Sequence, residues 1–197
     1  GLGSYWKGRK PLILVRAIVL ASLLPPTDDA QADLAIFEKL MAFDDEGLAR
    51  RAVIGNAVSP AEIAARIELK NPWDYFKATM KRSGVAGGDV HWMRFPLEAD
   101  AEGITLRWQR SLSDDDKLEI YRKLLATFDS YEEKASLGKR PEELDQEWLY
   151  APVWAEVSRH YAHLNVNVKS LSELVEQLGI LRYGHRPRVG DTFSGGG

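Results

Sequence analysis

The residues best suited to chemistry stand at the C-terminal end, in "GDTFSGGG" at 190–197. Val189 leads a short apolar strand, Asp191 lies near its carboxyl end, and Gly195, Gly196 and Gly197 follow at once. Glycine adopts positive φ freely and lets the backbone approach a ligand closely. In open α/β sheets, ligands bind beyond the carboxyl ends of strands, at turns of this kind. An acid beside such a turn suits a ligand that carries a cation or hydroxyl donors. A phosphate-binding loop would instead place Lys and then Ser or Thr after the glycines, and the sequence stops before that position. An ordinary surface turn or a glycine linker accounts for the same residues.

Three other constellations are weaker. Glu156, His160 and His163 fall at i, i+4 and i+7, on one face of a helix. A metal could sit there, but a fourth donor is missing, and histidines near a helix C-terminus also serve as dipole partners or half-buried fillers. "SDDDK" at 113–117 reads as a helix cap, because consecutive acids in a first turn point in different directions. "RYGHRPR" at 182–188 gathers Arg182, Arg186 and Arg188 around His185. Those arginines suit contact with DNA phosphates, and a solvated basic edge would look the same.

The elements that must position these residues read as helices. Pro11 suits a first helical position. Leu12 to Leu24 follows, stopped by Pro25 and Pro26 and apolar nearly all round, so this helix is expected to be buried on most sides. In "DAQADLAIFEKLMAFDDEGLARRA", Leu34, Phe37, Leu40 and Met41 recur at helical spacing. "SPAEIAARIEL" opens with a capping box of Ser59 and Glu62. "SDDDKLEIYRKLLATFDSYEEKAS" is the clearest helix, capped by Ser113, and further helices are expected over 151–164 and in "SLSELVEQLGI". Glycines at 84, 87, 88 and 103 argue for loop from 81 to 103, and "DVHWMRF" with "GITLRWQR" suggests a small hairpin near 89–110. A lone strand in "RPRVGDTF" at 186–193 would need partners beyond residue 197.

Composition narrows the classes. Hydrophobic residues at 45% and charged residues at 28% fit a soluble globular chain. A net charge of -3 argues against general basicity as a means of binding nucleic acid, though not against a local patch. The absence of cysteine excludes disulfides and thiolate metal sites and fits a cytoplasmic setting. The most apolar run holds about thirteen residues between prolines with Arg16 in its middle, against roughly 20 needed to cross a bilayer, so no membrane partner is expected. Gly1 in place of Met, and an end inside a glycine loop, read as cut points.

"GDTFSGGG" resembles the first cofactor motif of the amino-group DNA methyltransferases, in which Asp, Phe, Gly and Gly alternate with variable residues. Asp191, Phe193, Gly195 and Gly197 take the fixed positions, with Thr192 and Gly196 between them. "SYWKGRKPLILVRAIVLASLLPPTDD", "LYAPVWAEV" and "LVEQLGILRYGHRPRVGDTF" look like the large adenine-specific DNA methylases, whose front portion is a domain of unknown function. The likeness is strongest at 4–26 and 171–197 and weak from 81 to 143. It implies that the loop wraps S-adenosylmethionine. It further implies that "YWKGRKPL" packs beside the cofactor, with Tyr5 and Trp6 as flat apolar surface, Lys10 and Pro11 alongside, and Arg9 on DNA phosphate. A helix start with solvated basic residues accounts for that stretch equally. Some members of the group accompany anti-phage defence genes, which implies defence or restriction–modification proteins as partners besides DNA.

The resemblance therefore implies a fold that is mostly α over 1–185, followed at 186–197 by the first strand and glycine loop of an α/β, Rossmann-like class I methyltransferase. The parent enzyme would methylate adenine N6 in DNA. The family's ribose-binding acid and its Pro-Pro-aromatic catalytic loop do not occur here. "NPWDYF" at 71–76 lacks the second proline, precedes the glycine loop, and reads better as Asn71 capping a helix that starts at Pro72. No catalytic residue is assigned, and the 197 residues alone are expected to be inactive and to bind the cofactor weakly. The rival readings are a helical DNA-recognition or assembly module, and another nucleotide-using enzyme such as a dehydrogenase or ATPase.

Overall fold

The computed structural model describes residues 12–80 and 104–188. They form two compact units, one built from the chain up to Asp44 and from Asp145 onward, the other from Asp45–Leu144. Among the described residues the structure is mostly helical, with one small antiparallel sheet.

The outer unit contains α1 (Leu12–Leu23), α2 (Ala30–Leu40), α7 (Gln146–Tyr150), α8 (Val153–His160) and α9 (Leu171–Tyr183). Helix α1 packs on α9, and α2 on α8. The expectation that α1 is buried on most sides fails. Leu20 and Leu23 are buried, whereas Leu12, Leu14, Val15 and Ile18 are each more than half exposed. Among the described residues α1 has its partners on one flank, and Arg16 donates to the Tyr150 hydroxyl and, at 3.0 Å, to Gln146 Oε1. In α2 the inner face is Ile36 and Leu40, four residues apart, while Leu34 of the expected apolar set is 49% exposed. Helix α2 stops where Ala42 takes a left-handed conformation, φ 53°. The helix expected over 151–164 is α8 followed by a 3₁₀ turn at Ala162–Leu164, closed by left-handed Asn165.

The inner unit contains α3 (Asp45–Gly55), α4 (Pro60–Arg66), strands β1 (Phe76–Met80) and β2 (Ile104–Trp108), α5 (Asp114–Leu125) and α6 (Tyr131–Ser136). The Ser59–Glu62 capping box forms as expected. The long helix expected from Ser113 is two helices, because Ser130 and Glu133 make a capping box that starts α6. "SDDDK" is the cap expected of it, with Ser113 and Asp116 bonded reciprocally. The hairpin near 89–110 is half right. Strand β2 lies in the expected segment, but it pairs with Phe76–Met80 in the register Phe76 to Trp108 and Ala78 to Leu106. Residues 89–95 lie outside the described residues. Asn71 precedes a 3₁₀ turn of three residues at Pro72–Asp74, and its side chain bonds Asp74 at 2.7 Å in place of a backbone cap.

A two-stranded sheet is marginal alone, and here it is supported by α4 and by aromatic packing. Phe76 lies 4.7 Å from Trp108 between ring centres, and Trp108 lies 6.1 Å from Tyr121 of α5. Helices α3 and α5 pack together, and Leu48 and Ala52 of the one and Leu118 and Leu124 of the other are buried. Of the strand and glycine loop expected over 186–197, residues 186–188 are described and form no strand, and the rest lie outside the described residues, which contain no parallel sheet.

Candidate functional site

Most of the sequence-predicted site falls outside the described residues: Tyr5, Trp6, Arg9, Lys10 and Pro11 at one end, Asp191, Thr192, Phe193, Gly195, Gly196 and Gly197 at the other. The turn that leads to the second group is described. Ser170 caps α9 by accepting from the Glu173 backbone N–H. Gly184, at φ 75°, ends the helix, a conformation that favours glycine. The chain then doubles back on the helix. A Cβ at Gly179 would sit inside the Pro187 ring, so glycine is what lets the returning chain lie flat. Arg186 Nε donates to Glu176 Oε1 at 2.8 Å. Arg182, His185, Arg186 and Arg188 are all exposed.

The metal-spaced trio separates. Glu156 faces Lys39, and the pull of Asp44 and Glu156 outweighs burial and raises the Lys39 ammonium. His160 and His163 both line an open cleft of about 530 Å³, together with Pro26, Thr27 and Asp29. Among the described residues no three His, Asp or Glu side chains converge as metal ligands.

Sequence reasoning missed the group that organises this cleft. The Asp33 carboxylate accepts from the Thr27 backbone N–H at 2.7 Å and from its hydroxyl at 2.8 Å, and stands 2.7 Å from His160 Nε2. The Thr27 N–H, helped by His160, holds the Asp33 carboxyl below its ordinary value despite partial burial. The signal was there in part: Asp33 lies three and seven residues before Ile36 and Leu40, which puts an acid on the apolar face of α2. Its partner, 127 residues away, was not legible. Tyr161 meets His160 edge-on at 4.6 Å, its hydroxyl is buried without a partner, and burial pushes that hydroxyl up to about 12. The Thr27 hydroxyl already donates to Asp33, so the arrangement is a tie between α2 and α8 and not an activated nucleophile.

A second charged cluster sits in the inner unit. Glu46 accepts from Arg50 Nε at 2.8 Å and from Arg122 at 2.8 and 2.9 Å, joining α3 to α5 beside a cavity of about 320 Å³. Every cation lining that cavity is paired with an acid: Arg122 with Glu46, and Lys134 with Asp45 at 2.9 Å.

A family model described as a protein of unknown function, DUF1156, matches residues 1–40. No curated protein and no solved structure matches the chain. No helix among the described residues is long and apolar enough to cross a membrane.

Proposed function

We propose that the chain is the front part of an S-adenosylmethionine-dependent DNA methyltransferase acting on adenine N6. One observation carries this reading, the order Asp191, Phe193, Gly195, Gly197 with single residues between. The family match over residues 1–40 falls on the other stretch where the resemblance is strongest and is compatible with it. The tethered turn at 184–187 supports it further, because a ligand-binding segment that leaves a fixed point can be presented reproducibly. The cofactor would supply an electrophilic methyl group. The chain's residues would bind it, with Asp191 accepting from its polar donors and Gly195 to Gly197 allowing close approach.

A second reading, a helical module for DNA recognition or assembly without catalysis, is favoured by the described residues being helical apart from one hairpin. One experiment separates the two. Protein from the complete reading frame is incubated with S-adenosylmethionine and duplex DNA, and the nucleosides are resolved by mass. N6-methyladenine that disappears in Asp191→Ala supports the methyltransferase. DNA binding with no methylated base leaves the module.

A further inference from the structure

The turn after α9 is tied down and yet open to solvent. The Gly184 N–H bonds back to Ile180 O at 2.8 Å. His185 Nδ1 lies 2.7 Å from Arg186 O, Arg186 is held by Glu176, and Pro187 rests on Gly179. These ties fix the backbone beyond the helix, so little conformational freedom is left to lose when a partner binds. On this frame Tyr183 is 52% exposed and the Arg186 side chain 78%. The Tyr183 and His185 rings are nearly parallel, 27° apart, with centres 6.4 Å from each other. The Arg182 guanidinium lies 5.8 Å from the Tyr183 ring centre.

We propose that this turn is a contact for single-stranded nucleic acid, in which Tyr183 and His185 stack on an unpaired base and Arg182 and Arg188 hold the flanking phosphates. The inference rests on the reading above for the class of partner, and goes beyond it in naming the surface and the state of the strand. Three arginines within seven residues, on a chain of net charge -3, form a local cationic feature. Charge alone would suit any polyanion. The exposed aromatic pair selects among them, since aromatic faces with guanidinium groups make the stacking platforms of single-strand binders. Duplex DNA hides its base faces, whereas a base drawn out for methylation exposes one. An anionic membrane is the competing partner, because Ile180 and Leu181 are also exposed here. A helix lying in a membrane surface needs an apolar face along its length, and the inner face of α9, Leu174 and Leu178, is already buried in the protein core.

The test uses the 197-residue chain, fluorescence anisotropy, and a labelled oligodeoxynucleotide offered unpaired or as duplex. The unpaired strand should bind more tightly. Tyr183→Ala should weaken that binding roughly tenfold, as expected for one lost stacking contact, with little change for duplex, while Tyr183→Phe keeps it. Arg182→Ala with Arg188→Ala should weaken both forms and lower the single-strand salt slope by about 1.4, or about 0.7 per phosphate contact. Circular dichroism checks that the variants stay helical. The proposal is overturned if duplex binds as well as single strand, if Tyr183→Ala weakens neither form or both equally, or if phosphatidylserine vesicles capture the chain and displace the oligonucleotide. Failure of the full-length protein to methylate DNA, with this binding pattern intact, would sink the methyltransferase reading and leave the turn's role standing.

Discussion

Replacing Glu46 by Gln removes the charge that links α3 to α5 and keeps the side chain's shape. The carboxylate takes three bonds of 2.8 to 2.9 Å, from Arg50 on its own helix and Arg122 on the next. Its side chain is 26% exposed and that of Arg50 10%, while Arg122 is 47% exposed. Charge-assisted hydrogen bonds contribute about 1.5–3 kcal/mol each when shielded, and exposed pairs fall to 1 kcal/mol or less. One shielded and one half-exposed partner, with Gln still able to accept, put the loss at about 1–2 kcal/mol. For a chain of this size that is a fall in melting temperature of about 2–8 °C. Burial pushes the Glu46 carboxyl up, but the bonds from Arg122 and Arg50 more than offset it and leave it below its ordinary 4.5. A carboxyl lowered by folding stabilises the fold above its unfolded value, and that contribution disappears as pH falls through the folded value. The difference between the native chain and Glu46→Gln should therefore be full at pH 7 and shrink steadily below about pH 4.5. Thermal unfolding followed at 222 nm at pH 7, 5 and 3 measures it. Equal melting temperatures at pH 7, or a gap that widens as pH falls, would refute the ion-pair account of the α3–α5 joint.

Other substitutions probe separate links. Tyr161→Phe removes a buried hydroxyl with no partner and should leave stability unchanged or raise it by about 1 kcal/mol. Tyr150→Phe, which deletes the acceptor of Arg16, should cost about 1–2 kcal/mol. Urea unfolding that ranks the two tyrosines the other way would contradict the bonding described. Gly138→Ala puts a Cβ 2.7 Å from Arg51 Cβ and against the α3 backbone, and should destabilise by about 1–3 kcal/mol through overpacking, read as a lower urea midpoint. Asp33→Asn should lower the melting temperature at pH 7, by a gap that shrinks as pH falls below about 3.8. The reason is that the Asp33 carboxyl, held below its ordinary 3.8, stabilises the fold above that value and ceases to do so as it protonates. A gap that widens as pH falls would remove Asp33 from that role.

The legible features were local. The capping box at Ser59 and the cap at Ser113 formed as expected, and at Ser113 Asp116 completes a box that was not expected. Breaks within apolar runs were harder. Ser130 restarts a helix that periodicity alone carries through, and Ala42 ends α2 in a conformation that alanine seldom adopts. The pairing of β2 with Phe76–Met80 was not legible, because glycine and alternation mark one strand but not its partner, and Phe76–Met80 lies 24 residues before Ile104. The exposure of α1 was illegible for a related reason. Composition says how apolar a helix is, not how many neighbours the fold supplies. In the candidate site, Asp33 left a trace in its spacing, whereas its pairing with His160 is a product of the tertiary fold.

The forty residues matched by the family model cannot be a folding unit in themselves. Leu20 and Leu23 of α1, Ile36 and Leu40 of α2, and Asp33 are the side chains within that stretch that most need cover. Helix α1 packs on α9, and α2 on α8, both beyond Asp145. Arg16 bonds Gln146 and Tyr150, and Asp33 bonds His160, so the polar ties cross the same gap. Residues 45–144 separate the two halves in sequence. On this argument α1, α2 and the turn after α9 belong to one structural unit, and a truncation at residue 40 should give an unfolded peptide.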